Sequence, residues 1–325
     1  MRLAPARQPF PCASIQTMAS NAIIAVIGPT ATGKTALAIE LAERLGGEVI
    51  NADSRQLYRG MDIGTAKPSA ADRKRVRHWL LDVADPSETF SLGRYLDLAQ
   101  EALADCWSRS VVPVLSGGTG QYVWAVLEGW NVPRVPPDLE LRAELERQLE
   151  RDGPQALLDE LAAVDPNYAE HIDTQNTRRL VRALEVYRRT GQTPSACRTR
   201  TPPDAEVTII GLNCPRDVLY ERIDRRVDAM VAGGLFDEVR GLIERGYDCG
   251  RSAMSGIGYR QVCQHLAGEL DYDEAIARIK TATHRLARSQ HAWFHADDER
   301  IQWIDINACN PLEESLRILN SETEP

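Results

Sequence analysis

The chain has 325 residues, with 38 lysines and arginines against 47 aspartates and glutamates and a net charge of −9. At 43% hydrophobic and 26% charged it is neither disordered nor fibrous, and no apolar run approaches the ~18 residues of a membrane span. The length suits about two domains and a sizeable core, while the acidic balance, taken alone, argues against a nucleic-acid partner.

Residues 1–20 carry Arg2 and Arg7, no acid and no apolar stretch of signal-peptide type. They are expected to be a disordered extension, or to precede a true start at Met18. Ala22–Ile27 (AIIAVI) predicts a buried strand, 36–45 a helix and 48–50 a second strand ending at Asn51-Ala52-Asp53. Leu92–Ser108 predicts a helix with Ser91 as N-cap. The run 111–115 predicts a third strand, closed by Ser116-Gly117-Gly118-Thr119-Gly120.

The texture then changes. Residues 131–137 (NVPRVPP) form a proline-rich joint, 138–190 read as helical throughout, and 191–203 form a second joint. Strand character returns at 206–212, a long helix is expected over 273–294, and 302–306 reads as a last strand. The fold class that follows is α/β, a parallel sheet core flanked by helices and interrupted by an all-helical insertion. The seven cysteines are scattered without C-x-x-C spacing, so reduced thiols are expected rather than a disulfide framework or zinc.

Gly28-Pro29-Thr30-Ala31-Thr32-Gly33-Lys34-Thr35 matches G-x-x-x-x-G-K-[ST], with a strand before it and a helix after it. Backbone N–H groups in such a loop turn toward a diphosphate or triphosphate, and the helix N-terminus adds its dipole. Lys34 contributes a point charge, and the Thr35 hydroxyl can hold Mg2+. In a parallel sheet the ligand crevice lies at the carboxyl ends of the strands, which brings Asp53 and Thr119 beside the loop. Asp53 is then a candidate metal helper or general base.

Together with that loop, Asp53-Ser54-Arg55-Gln56-Leu57-Tyr58, Asp62-Ile63-Gly64-Thr65-Ala66-Lys67-Pro68 and Gly117-Gly118-Thr119-Gly120-Gln121-Tyr122 resemble the tRNA dimethylallyltransferase family. The match continues through Arg182–Tyr187, the run 222–230, Ile257-Gly258-Tyr259-Arg260 and 283–294, and so covers about 22–295. The resemblance implies a P-loop NTPase-like core. It implies transfer of a dimethylallyl group from dimethylallyl diphosphate to N6 of the adenosine just 3′ of the anticodon, with release of diphosphate. An adenine amine is a weak nucleophile, and Asp53 resembles the family's base. The phosphate loop, Lys34, Thr35 with Mg2+, and Arg226 would hold the leaving diphosphate. Without the resemblance, Arg226 reads as an ordinary helix arginine.

On the RNA side the resemblance implies contacts from Asp53, Ser54, Arg55, Gln56 and Thr119, and from Arg142, Arg178, Arg179, Arg182, Arg285 and Arg288. Arg178, Arg182 and Arg189 fall on one helix stripe at i, i+4 and i+11, with Glu185 able to neutralise part of it. Lys67 and Arg59 are candidate phosphate contacts, with a solvated charge as an equal reading. His284, Arg288, His291 and His295 align as a second stripe, where the family pattern has more basic residues; a pH-sensitive RNA face is expected there.

The implied organisation is an extension (1–20), a phosphate-loop core (21–130 and 204–310), a tRNA-binding helical insertion (131–203) and an acidic tail (311–325). A monomeric cytoplasmic enzyme acting on a tRNA anticodon stem-loop is expected. The alternatives are a small-molecule kinase, a free-adenylate isopentenyltransferase and a tRNA binder with a dead site. The negative charge is also uneven. Residues 138–173 hold net −8 and 297–325 net −6, leaving the remainder net positive and predicting confined basic faces.

Overall fold

The structure is a computed structural model, described here over residues 21–321. The expected extension at 1–20 and the last residues of the expected tail lie outside the described residues. In chain order the elements are β1 (Ala22–Ile27), α1 (Lys34–Leu45), β2 (Glu48–Asn51), α2 (Ala70–Arg75), β3 (His78–Trp79), α3 (Leu92–Ser108), β4 (Pro113–Ser116) and α4 (Gly120–Leu127). Then come α5 (Leu139–Val164), α6 (Pro166–His171), α7 (Thr177–Thr190), β5 (Glu206–Asn213), α8 (Arg216–Ala232), α9 (Leu235–Glu244), α10 (Tyr259–Leu266), α11 (Tyr272–His291), β6 (Ile301–Asp305) and α12 (Pro311–Ser321).

The chain divides into two compact units. Among the described residues the first comprises 21–90, 98–123 and 204–321. Its six strands run parallel in the order β3-β2-β4-β1-β5-β6. A strand covered on both faces needs an unbroken apolar run, and all six residues of β1 are buried. Leu37, Leu41 and Ala42 of α1 pack with Ile24 and Val26 on one side of the sheet. Tyr58, Met61 and the inner faces of α8 to α11 form a second cluster. The two-residue β3 was not anticipated, because His78-Trp79 carries no strand periodicity; it is held by pairing with Val49 and Ile50.

The second unit comprises 91–97 and 124–203. Its helical part is built as expected, with Leu145, Leu157, Leu161, Leu180 and Leu184 as its core. Helix α5 is kinked where Gly153 takes a φ of 78° next to Pro154.

Three expectations are corrected. Cys249 and Cys263 form a disulfide, because the connection between α9 and α10 folds back to bring their Cα atoms to 6.0 Å. Cys106, Cys197, Cys214 and Cys309 are free. The segment read as an acidic tail is helical over 311–321, with Ile318 and Leu319 in the sheet-side core and Glu313 exposed. Finally, α11 ends at His291 rather than 294, where the chain turns and buries Phe294. Among the described residues no helix is long and apolar enough to cross a membrane.

Candidate active site

The carboxyl ends of β1, β2 and β4 converge on one cleft of about 450 Å3, lined by Thr30, Asp53, Ser54, Thr119, Arg226 and Gln290 among others. This is the crevice expected of an open parallel sheet. The phosphate loop leaves β1 at Gly28, whose φ of 134° and whose packing against β5 exclude a side chain; a Cβ there would lie 2.3 Å from the Leu212 carbonyl oxygen. Gly33, also left-handed, opens α1. Thr32 Oγ1 donates to the Pro29 carbonyl at 2.9 Å and fixes the turn. Arg222 Nε donates to the Ala31 carbonyl at 2.8 Å, pinning a residue that holds a φ of 68°.

Lys34 reaches back to the Pro29 carbonyl. Burial, then the neighbouring Arg226 charge, lowers its pKa to about 7 against the opposing pull of Asp53. Burial pushes Arg226 below its ordinary value too, again with Asp53 opposing. Two basic side chains and one carboxylate therefore sit together with few internal partners, an arrangement that an anion would relieve. Thr35, in the first turn of α1, makes no side-chain hydrogen bond among the described residues and is half-buried. Its free hydroxyl, with Asp53 close enough to act on Lys34, would suit a divalent ion such as Mg2+, which would supply positive charge beside a bound diphosphate. Among the described residues no cluster of three or more His, Cys, Asp or Glu could hold a metal unaided.

Asp53 is held by its own turn. Its N–H donates to Asn51 Oδ1 at 3.1 Å, and its Oδ1 accepts the Arg55 N–H at 2.8 Å. Thr119 Oγ1 accepts the Ser54 N–H at 3.0 Å and donates to Ser54 Oγ at 3.3 Å, tying the ends of β2 and β4 together. Arg55 donates to the Ser252 carbonyl at 2.9 Å, so it reaches the cleft tethered.

Several expected RNA contacts have other work. Gln56 is buried and donates to the carbonyls of Thr65 and Ala66, so it braces the D-I-G-T-A-K-P segment rather than facing a base. Lys67 is 1% exposed and bonded to Asp62 and Asp82, which removes it from phosphate recognition. Arg59 is exposed and lies 3.7 Å from Asp85 and Glu88. In the second unit Arg142 and Arg182 both converge on Glu185 at 2.7 Å, and Arg189 pairs with Asp138 at 3.1 Å. The stripe predicted on α7 is thus largely neutralised from within. Arg178 and Arg179 stay exposed with no ion pair among the described residues, as do Arg285 and Arg288. His284 stacks on Tyr220 with ring centroids 4.1 Å apart and sets Nε2 2.9 Å from Asp224, while His295 falls beyond the end of α11. The stripe of His284, Arg288, His291 and His295 is therefore not a continuous face.

Sequence reasoning missed Glu238 and Gln290. Glu238 accepts the N–H groups of Asp62, Ile63 and Gly64 at 2.8–3.1 Å and the Tyr259 hydroxyl at 2.6 Å, anchoring the loop that carries Gly64 and Thr65 to the cleft wall. Gln290 bridges the phosphate loop and the turn before Thr119. The Gln290 signal lay in the 283–294 stretch, but nothing local reveals its partners.

The IPP transferase family profile matches residues 56–297, and an isopentenyl transferase profile matches 21–89. The tRNA dimethylallyltransferase of Roseiflexus sp. (strain RS-1) is 53% identical over 272 residues, which is 84% of this chain and 89% of the relative. That of Thermomicrobium roseum is 47% identical over 284 residues, 87% of this chain and 86% of the relative. The crystal structure of the full-length tRNA isopentenylpyrophosphate transferase from Bacillus halodurans superposes with a TM-score of 0.67 at 39% identity, covering 93% of this chain and 95% of that one. A eukaryotic dimethylallyltransferase acting on tRNA gives a TM-score of 0.79 at 26% identity, covering 94% of this chain and 80% of that one.

Proposed function

The chain belongs to the IPP transferase family, with tRNA dimethylallyltransferases among its relatives, and from that premise we propose that it transfers a dimethylallyl group from dimethylallyl diphosphate to N6 of the adenosine 3′ of the anticodon in tRNA. The observation that carries the reading is one cleft holding a phosphate loop, a carboxylate and a half-buried arginine together.

The adenine amine attacks the prenyl carbon that bears the diphosphate. The new C–N bond forms as the C–O bond breaks, the diphosphate leaves with the electron pair, and the surplus N6 proton passes to the Asp53 carboxylate. Asp53 suits this role because its turn fixes it from the backbone side. Lys34, Arg226 and the loop's N–H groups offset charge growing on the leaving group. Mg2+, held by Thr35 and the substrate phosphates, would supply further positive charge there. Ser54, Arg55 and Thr119 border the acceptor side, and extruding one base from a single-stranded loop costs only a few kcal/mol. Arg178, Arg179, Arg285 and Arg288 are proposed phosphate-backbone contacts. The reaction is assigned to the cytoplasm and to a monomer.

A kinase or a free-adenylate prenyltransferase finds no support beside these relatives. The test offers labelled dimethylallyl diphosphate with tRNA or with AMP, and ATP alone in parallel. Label moving to tRNA only is the expected result; label on AMP, or phosphorylation, would overturn the reading.

A further inference from the structure

Gln290 is the penultimate residue of α11, and its side chain joins two loops that are remote in sequence. Its Oε1 accepts the Thr30 N–H at 2.8 Å, across 260 residues, and its Nε2 donates to the Gly118 carbonyl at 2.9 Å, across 172 residues. The residue is 7% exposed. A buried amide paired at both ends has one orientation, since a flip would set donor against donor and acceptor against acceptor. Gly118 leaves no slack, because a Cβ there would lie 2.3 Å from Nε2. The absence of a side chain at 118 is thus a condition for the bridge.

The two joined loops are not interchangeable supports. Thr30 belongs to the loop that takes the diphosphate, and Gly118 immediately precedes Thr119 on the acceptor side; all of them line the same cleft. The Thr30 amide is also committed to the bridge rather than to an anion. We propose that Gln290 is a positioning residue for prenyl transfer, fixing the separation between the phosphate loop and the Thr119 turn and hence the alignment of the diphosphate-bearing carbon with the attacking amine. This rests on the reaction proposed above. Displacement requires the reacting atoms about 3–3.5 Å apart and in line, and a misplacement of about 1 Å costs about 10²-fold in rate.

The test uses the full chain with Gln290→Leu and Gln290→Glu. Single-turnover rates are measured at saturating dimethylallyl diphosphate and tRNA, binding of inorganic diphosphate and of tRNA is measured separately, and thermal melts report the folded fraction. Gln290→Leu is expected to slow single turnover by about 30–100-fold while each binding constant moves less than about threefold. Gln290→Glu keeps the length and the acceptor toward Thr30 but sets a carboxylate against the Gly118 carbonyl beside the anion site. It is expected to weaken inorganic diphosphate binding by about tenfold or more. A Leu variant with a wild-type single-turnover rate, or a rate loss matched by loss of folded protein or by equal losses in both bindings, overturns the proposal. So does a Glu variant with unchanged diphosphate binding, and this arm decides alone if the Leu variant does not fold. Failure of the wild-type chain to prenylate tRNA sinks the reaction instead, and the diphosphate arm still judges the bridge.

Discussion

The Lys34 ammonium donates to the Pro29 carbonyl at 2.6 Å, five residues back in its own loop. This internal bond holds the ammonium in a half-buried position beside Arg226, and its pKa falls to about 7. A bound diphosphate reverses the balance by placing negative charge next to both. At pH 8 the unliganded Lys34 is therefore largely neutral, and binding an anion takes up a proton. Affinity for inorganic diphosphate should fall as pH rises through 7. Calorimetry in two buffers of different ionisation enthalpy should show proton uptake at pH 8 that Lys34→Met lacks. Equal proton counts for the two proteins would contradict the assignment.

The Asp53 N–H keeps its bond to Asn51 Oδ1 when the side chain is replaced, whereas the bond from the Arg55 N–H to the carboxylate is lost. Asp53→Ala is expected to lower kcat by about 10²–10⁴-fold, the range for losing a positioned general base. tRNA binding, read by filter retention, should be largely spared. Turnover preserved in this variant would remove Asp53 as the proton acceptor.

The arginines of the second unit divide into structural and exposed sets. Glu185 is fully buried and accepts from Arg142, Arg182 and the Asp138 N–H. Glu185→Ala would strand two guanidinium groups that are only 32% and 37% exposed. The expected cost is about 3 kcal/mol, the low end for breaking a buried pair, since water still reaches both cations. Denaturant titration of the variant checks this. Arg178→Ala with Arg179→Ala should instead leave stability within about 0.5 kcal/mol. The double variant should also reduce the salt slope of tRNA binding by about 1.5, as two lost phosphate contacts require. An unchanged slope would place the RNA elsewhere.

Cys249 and Cys263 close a loop across a sequence separation of 14 residues. A cross-link of that span restricts the unfolded chain and stabilises the fold by about 3 kcal/mol. Cys249→Ser should lower the denaturation midpoint accordingly, and dithiothreitol should do the same to the wild-type chain but not to the variant. A reductant-insensitive wild type would mean the two thiols do not pair in solution.

Much of the architecture is legible in the chain itself because its signals are local. Ala22–Ile27 is a contiguous apolar run, and a run of that kind in a parallel sheet can only be an interior strand. The phosphate loop is a contiguous octapeptide whose glycines, lysine and threonine act through their own backbone, so its chemistry is readable without knowing the neighbours. Leu92–Ser108 forms the helix expected of it, and the long insertion is helical as its periodicity requires.

What the sequence by itself determined is therefore the fold class, the phosphate loop and, through its motifs, the family. Tertiary structure alone decided how individual polar side chains are used. Gln56, Lys67, Arg142 and Arg182 all read as candidate RNA contacts, yet each is engaged by carbonyls or carboxylates inside its own unit. The partners of Glu238, of Gln290 and of Cys249 carried no usable local signal, because they lie elsewhere in the chain. A buried polar group must find a partner or bear the cost of losing water. Which partner it finds depends on the loops that the folded sheet and helices bring within hydrogen-bonding distance, and no local pattern of residues encodes that meeting.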